Sequence, residues 1–528
     1  MRDKLIIIFI ILFGIVMYGL TLRGAPGNPT ADQFRNNLDQ ATNAFELSPE
    51  RGRYVQVANM AERGIYDLSR TWADIASPDV GVSPYGKFNS YFAPGVSYAT
   101  LPFYLFGAHF GLGQVAAFSV ESLVSIITLV FIYLIGLRIF GLSRWAALFS
   151  VLVYGFGSTS WSYAVTLYQN AFTACFMVTA FYASWRFAQD DTRHRFLYAA
   201  YVWLAYALAI FVDYPNAVLM LPIMAYLAVS TFSLKKIGEG VAVSIRWSAI
   251  AAFVVFAAIT GLQFWHNATY YGKWSTLAGQ LQGYKAVTAT STLAITPRTS
   301  VATTAAAATT TTPGITVSSA DKTVSGFFEE ESMPNGFFVL LFGDERGLFF
   351  FSPIFLFSLL GIMYVLRKKE ENRVVYIVPI ALIAVNIFLY SAWGDPWGGW
   401  AYGPRYLIAS MPWLALFVGV ALTHGRFLAS RKILALILFL FSSAVALLGA
   451  LTSNAVPPKS EALLLPIKTY NFLHSIPFLQ DGRSGSFIYK TYVSGHFSLM
   501  GYFIAIYAMI AIIALVLVLL LSQNDRHE

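Results

Sequence analysis

The chain has 528 residues, 57% of them hydrophobic and only 12% charged, with a mean hydropathy of +0.60. A soluble domain is nearer half apolar and a quarter charged, so this composition excludes an ordinary water-soluble globule. The net charge of +8 is read as basic cytoplasmic loops rather than a nucleic-acid surface, because Lys and Arg gather on that side of polytopic proteins.

A helix needs about 20 apolar residues to cross a ~30 Å hydrocarbon core. Twelve segments are read as spans, near residues 4–21, 114–137, 145–162, 170–187, 196–212, 215–233, 247–265, 347–366, 374–392, 404–423, 433–452 and 499–521. The first, KLIIIFIILFGIVMYGLTL, is not closely followed by a small-x-small cleavage pattern and is read as a retained helix. The single cysteine, Cys175, lies in an apolar run; it excludes an intramolecular disulfide and a Cys-based metal cluster.

Residues 89–107, NSYFAPGVSYATLPFYLFG, decide the topology. Pro94, Gly95, Pro102 and Gly107 weaken a long helix there. If the stretch does not cross and Met1 is inside, the short basic turns RFAQDDTRHR, SLKK, RKKEENR and HGRFLASRK all fall inside. If it crosses, every one of them falls outside. The stretch is therefore expected to lie in the outer interface, with Tyr91, Tyr98, Phe103 and Tyr104 at the depth aromatic side chains favour.

The expected fold is an all-α polytopic membrane protein of about twelve transmembrane helices, with a long extracytoplasmic first loop bearing interfacial helices. Its expected divisions are 1–22 (first span), 23–113 (outer loop), 114–265 (spans two to seven), 266–346 (outer loop), 347–452 (spans eight to eleven), 453–498 (outer loop) and 499–528 (last span and cytoplasmic tail). The first loop predicts a helix from about Gly52 to Arg63 that ends near Gly64, with Pro49 and Glu50 suiting its first turn. ADIASPDVGVSPYGKF reads as loop. The tract KAVTATSTLAITPRTSVATTAAAATTTTPGITVSSADKTV has too few large apolar residues for a core. Asn267-Ala268-Thr269 is a sequon at a membrane end.

No P-loop, dinucleotide fingerprint or HExxH motif is present. Glu121 is the clearest intramembrane carboxylate, thin support for an ion path. The first loop carries Glu46, Glu50, Asp67, Asp74 and Asp79 beside Arg51, Arg53, Arg63 and Lys87. A surface carboxylate there suits removal of a proton from an acceptor hydroxyl, or a divalent ion. SAWGDPWGGWAYGPRYL, residues 391–407, gathers Asp395, Trp397, Trp400, Tyr402 and Arg405 at one helix mouth. Aromatic faces stack on sugars and arginine pairs with phosphate oxygens. FGDERGLFFFSP adds Asp344, Glu345 and Arg346.

ERGRYVQVANMAERGIYDLS, residues 50–69, is similar to the D-E-x-x-Y…A…G pattern of protein O-mannosyltransferases and bacterial lipid A aminoarabinose transferases. With the long first loop and paired spans, the chain resembles a GT-C superfamily glycosyltransferase. The pair position departs from that pattern, reading Glu50-Arg51, or Pro49-Glu50 with the gap moved by one, and Ala93 rather than an acid precedes Pro94. The resemblance implies transfer of a sugar from a polyprenyl-phosphate donor to a hydroxyl of a glycan, lipid or protein on the extracytoplasmic face, with inversion. Glu50 or Asp79 would be the base. Arg53, Tyr54, Lys87, Tyr91, Arg346, Asp395, Trp397, Trp400, Tyr402 and Arg405 are the expected substrate-binding residues. A divalent ion, Mg or Mn, is compatible with this chemistry, though no residue pattern demands one. Membrane lipids are the other expected partner, and the plasma membrane, with both termini cytoplasmic, the expected location. The competing readings are a lipid-linked-sugar flippase or other transporter, and a scaffold displaying its Thr-rich loop.

The topology has a direct check. A membrane-impermeant maleimide should label Pro84→Cys on intact cells, and Asp191→Cys only after the membrane is opened; the reverse pattern would make residues 89–107 a crossing.

Overall fold

The structure, a computed structural model, describes the chain apart from residues 1, 29, 32–33, 35–44, 190–191, 238–239, 287–314, 319–325, 327, 368–373, 425–427 and 525–528. Most of the Thr/Ala-rich tract, and parts of the basic turns RFAQDDTRHR, RKKEENR and HGRFLASRK, therefore lie outside the described residues. The chain forms two compact units. One comprises Met1–Pro26, Phe118–Ile259 and Phe328–Glu528; the other comprises Gly27–Ala117 and Thr260–Phe327.

The protein is a predominantly helical, polytopic membrane protein. Among the described residues, eight helices are long and apolar enough to cross a bilayer: Arg2–Thr21, Gly113–Arg138, Arg195–Val212, Trp247–Tyr271, Val374–Ser391, Arg405–Thr423, Ala429–Leu451 and Leu499–Gln523. Three more expected spans appear as shorter apolar helices, Arg144–Phe156, Asn216–Thr231 and Pro353–Arg367. The twelfth, Asn170–Ala188, is a 19-residue helix with most of its side chains buried. Burial sorts these helices: the most apolar window of Arg405–Thr423 is 89% buried, that of Trp247–Tyr271 only 17%. A helix hydrophobic all round and buried all round is a core helix. One with the same composition and outward side chains needs lipid.

Close packing in the first unit depends on small residues. Helices Leu356–Arg367 and Met411–Thr423 approach until a Cβ on Gly361 would stand 2.0 Å from the Phe417 carbonyl oxygen. Backbone contact of this kind is how membrane helices gain dispersion energy where lipid is as apolar as leucine. The end of the first helix is tied into the same unit. Arg23 donates to the Gly449 carbonyl (2.6 Å), while the hydroxyls of Ser486 and Tyr502 donate to that of Leu20 (2.8 and 2.9 Å).

The second unit carries both carboxylates expected as the base, Glu50 and Asp79. Its helix Ser48–Arg63 ends where Gly64 takes a left-handed φ of 67° and returns its N–H to the Met60 carbonyl. Residues Gly95–His109 form a helix of 15 residues with Pro102 inside it. At 1.5 Å per residue it falls short of the hydrocarbon core.

The segment read as loop between Ala73 and Phe88 is a correction. It contains the end of a helix, Arg70–Ala76, and an antiparallel hairpin, Val80–Val82 with Phe88–Ser90. Val80–Val82 also pairs with Gln282–Ala286, which pairs with Ile315–Ser318, giving a four-stranded antiparallel sheet. Three-residue strands bordered by Pro, Gly and Ser carry no alternation long enough to read. Their partners lie about 200 residues away in sequence, and that pairing makes them strands. SLKK likewise lies in a hairpin, Phe232–Ile237 with Gly240–Ile245. Asn267 of the sequon is 2% exposed within a helix and donates to the Trp274 carbonyl, so its amide is held away from solvent.

Gly361→Ala should lower stability by about 1–3 kcal/mol, the usual cost of overpacking. The check is a lower midpoint of thermal unfolding in detergent, against an unchanged midpoint for Gly261→Ala, where a Cβ meets nothing within 4 Å.

Candidate active site

The two carboxylates expected to act as base stand in different circumstances within the second unit. Glu50 is 1% exposed. It sits in the first turn of the Ser48–Arg63 helix, and its Oε1 accepts the backbone N–H groups of Glu46 and Leu47 (3.3 Å to Leu47). A helix start leaves such donors without intrahelical partners, and an acid three residues in is well placed to satisfy them. This is a capping role.

Asp79 is half-buried, on the turn between the Arg70–Ala76 helix and the hairpin. Its N–H donates to the Ala76 carbonyl (3.1 Å), and its own carbonyl accepts from the Tyr91 N–H (3.0 Å). Gly52 lets it lie close to the long helix: a Cβ there would be 3.5 Å from the Asp79 Cβ and 3.0 Å from the Phe92 ring. Arg51, one position before that glycine, donates to the Ser77 carbonyl at 2.7 Å. Burial lowers the pKa of Arg51, while the charges of Asp79 and Glu50 raise it back toward its ordinary value. Burial and the Asp79 charge push Tyr91 up to about 12, so its hydroxyl stays protonated and donates to the Leu281 carbonyl at 3.2 Å. Asp79 thus sits on a hydrogen-bonded backbone, with its charge acting on both Arg51 and Tyr91.

The other expected residues of this unit hold structure. Arg53 is 4% exposed, donates to the Pro49 carbonyl and stacks 4.0 Å over Phe92. Tyr54 is fully buried against Phe34, Phe45 and Tyr104. Lys87 pairs with Asp67 at 3.8 Å and lies over the Tyr270 ring.

In the first unit, Arg346 is wholly buried. All five of its N–H donors meet backbone carbonyls: Nε to Trp397 (3.1 Å), Nη1 to Glu345 (2.8 Å) and Tyr470 (3.2 Å), Nη2 to Gly399 (3.1 Å) and Val456 (3.1 Å). Burial draws its pKa down to about 10, which leaves it protonated at neutral pH. Tyr402 is equally buried; its hydroxyl donates to the Val445 carbonyl (2.6 Å) and its N–H to the Tyr163 hydroxyl (3.0 Å). Trp400 donates its indole N–H to Glu461 (2.6 Å), and Trp397 offers its carbonyl to Arg346. Asp395 is exposed on the same turn.

Arg405 differs from Arg346. Its guanidinium lies 5.2 Å over the Tyr406 ring and against Gly398, where a Cβ would come within 2.7 Å of its Nε. Gly398 and Gly399 take φ of 70° and 61°, so the turn can pass this close only with glycine there. The buried Arg405 Nε, like that of Arg51, has no hydrogen-bond partner in the structure, and a buried donor in that state calls for one. Asn170 holds the backbone from which Arg405 projects, donating to its carbonyl at 2.9 Å.

Sequence reasoning named Arg51 among the loop's charges and at the pair position without giving it a role, and passed over Asn170. No local spacing announces either, since Asn170 and Arg405 are 235 positions apart. Among the described residues, no three His, Cys, Asp or Glu stand together as a group able to hold a metal ion. Glu121 is wholly buried.

Residues 97–265, about a third of the chain, match the family model of dolichyl-phosphate-mannose-protein mannosyltransferases. The resemblance to GT-C glycosyltransferases is borne out over that segment. No curated protein matches the chain in sequence. Among solved structures, ArnT from Cupriavidus metallidurans bound to undecaprenyl phosphate is similar at 14% identity and a TM-score of 0.49, over 96% of this chain and 77% of that one. The apo state of ArnT gives 14% identity and 0.46, over 98% and 77%. The apo oligosaccharyltransferase of Archaeoglobus fulgidus gives 11% identity and 0.42, over 88% of this chain and 58% of that one.

Arg346→Lys offers three donors where five carbonyls wait, and each buried acceptor left unpaired costs about 1–3 kcal/mol. The variant should unfold at a clearly lower temperature in detergent. A normal midpoint with selectively weakened binding of a lipid phosphate would instead place Arg346 at the substrate.

Proposed function

We propose that the protein is an integral-membrane glycosyltransferase that moves a sugar from a polyprenyl-phosphate carrier to an acceptor hydroxyl. The match to the mannosyltransferase family over residues 97–265 supports the class. The observation that carries the chemistry is Asp79, a half-buried carboxylate on a fixed backbone, interacting with Arg51 and Tyr91. Of the two expected bases we assign the role to Asp79, because Glu50 is buried and engaged with backbone N–H groups.

In the proposed reaction Asp79 takes the acceptor's proton as the hydroxyl oxygen attacks the anomeric carbon from the face opposite the phosphate. The bond from that carbon to the phosphate oxygen breaks, and the sugar's configuration inverts. Polyprenyl phosphate leaves as an anion, which needs no protonation to depart. Within the first unit taken by itself, Arg405 is the group we propose for binding a phosphate, with Nε as a donor, and Trp397 and Asp395, on the adjacent turn, are those for contact with a sugar. Arg346 and Tyr402 are given scaffold roles, and so is Glu50. The extracytoplasmic face, the plasma membrane and cytoplasmic termini belong to this proposal through the basic inward turns.

Transfer from radiolabelled polyprenyl-phosphate sugars to a membrane extract tests it, with purified protein in liposomes. Asp79→Asn should lower kcat at least about 10²-fold, the usual contribution of general base catalysis, with thermal stability retained. Glu50→Gln should retain activity within about tenfold of wild type, and Glu50→Ala should lower the unfolding midpoint by an amount equivalent to about 1 kcal/mol, a typical loss of a cap. Loss of activity in Glu50→Gln with Asp79→Asn active would reverse the assignment. No turnover across a donor panel on which a control enzyme works would sink the transferase reading and turn attention to lipid-linked-sugar flux.

A further inference from the structure

Between the span-length helices Ala429–Leu451 and Leu499–Gln523 the chain makes a strap whose run ALLLPI, residues 462–467, stands out of the protein. Leu464 is 87% exposed, Leu463 52% and Ile467 36%. Pro466 is exposed between them. Isolated apolar side chains on a surface are ordinary, but a contiguous run of large ones marks something that covers it.

The run is held out by a built support. Ala462 is wholly buried and anchors it. Residues 458–465 form helical turns, in which the N–H groups of Ala462, Leu463 and Leu464 donate to the carbonyls of Pro458 (2.9 Å), Lys459 (3.2 Å) and Glu461 (2.9 Å). Both feet are fastened. The Lys459 N–H donates to Glu345 (2.9 Å) and the Tyr470 hydroxyl to Asp344 (2.8 Å), with the Lys459 ammonium 5.0 Å over the Tyr470 ring. Between these feet the Trp400 indole donates to Glu461.

Three observations choose the covering. The strap joins two span-length helices, so a bilayer surface lies at both of its ends. Its one acid from Lys459 to Tyr470, Glu461, is bound to Trp400, while Lys459 and Lys468 are exposed on either side of the leucines. An apolar centre between cationic edges is the composition of an interfacial segment on anionic lipid. A protein interface is instead enriched in aromatic and arginine anchors, and the exposed run has neither.

We propose that residues 463–467 insert into the membrane interface on the side of the 453–498 segment, with lipid acyl chains as their partner. Through Glu461, the strap then holds Trp400 at headgroup depth. That is the depth at which tryptophan is favoured.

A nitroxide on the full chain, reconstituted in liposomes containing phosphatidylglycerol, tests this. Cys175 is the only cysteine and is buried, so the parent chain serves as the control for background labelling. Leu464→Cys and Leu463→Cys carry the label one at a time. Ile512→Cys, at a position 62% exposed on a span-length helix, reports lipid; Asp481→Cys, exposed in the same segment as the strap, reports water. The accessibility ratio of oxygen to a nickel chelate at 464 should exceed that at 481 at least about threefold and approach that at 512, as expected of an immersed interfacial residue. A ratio equal to that at 481 overturns the proposal. Exclusion of both reagents also overturns it, since a protein surface or a second copy then covers the run. If Leu464→Cys does not reconstitute, the label at 463 decides between the same outcomes.

Discussion

Five backbone carbonyls, two from the Trp397–Gly399 turn and one each from Glu345, Val456 and Tyr470, converge on the guanidinium of Arg346, and the polar turns of the first unit meet there. Apolar helices pack by close approach and need no such device, as Gly361 shows against Phe417. The turns at their ends are different. The segments around Trp397–Gly399, Val456 and Tyr470 are rich in backbone polar groups and poor in regular hydrogen bonding. Buried away from water, each carbonyl must find a donor. Arginine, with five donors in a fixed plane, satisfies several at once. The same turns present Trp400 to Glu461 and bring Gly398 against Arg405.

This division gives the two arginines of the first unit opposite characters. Arg346 has every donor engaged and no exposed surface, whereas Arg405 is half-buried and retains an Nε without a partner. In sequence they look equivalent, each beside glycine or proline at a predicted helix mouth. The two carboxylates of the second unit divide in the same way. Glu50 caps a helix, and Asp79 stands on a turn with Arg51 and Tyr91 in its electrostatic reach. Chemistry is assigned to the half-buried member of each pair rather than to the fully buried one.

The lengths and compositions of the apolar runs made the membrane architecture legible, because spanning a bilayer imposes a local requirement on about 20 consecutive residues. The Ser48–Arg63 helix and its stop at Gly64 were legible for a similar reason, since a helix start and end are written in neighbouring residues. Pro94 likewise stands at the start of the 15-residue helix that forms there, Gly95–His109, while Pro102 lies within it. The motif residues 50–69 and 391–407 pointed to sugar and phosphate chemistry, and residues 97–265 match the family that the first of these resembles.

The tertiary structure decided what each candidate side chain does. Val80–Val82 becomes a central strand only because Gln282–Ala286 pairs with it. Tyr54 and Tyr402 were expected to bind substrate and are packed in cores. Asn170 acquires a role only where the carbonyl of Arg405 arrives beside it. Helix formation and membrane crossing depend on composition over one or five turns, so the sequence by itself determined them. Burial, capping and the filling of a donor's last position depend on groups tens to hundreds of residues away, and no local pattern records which of them will arrive.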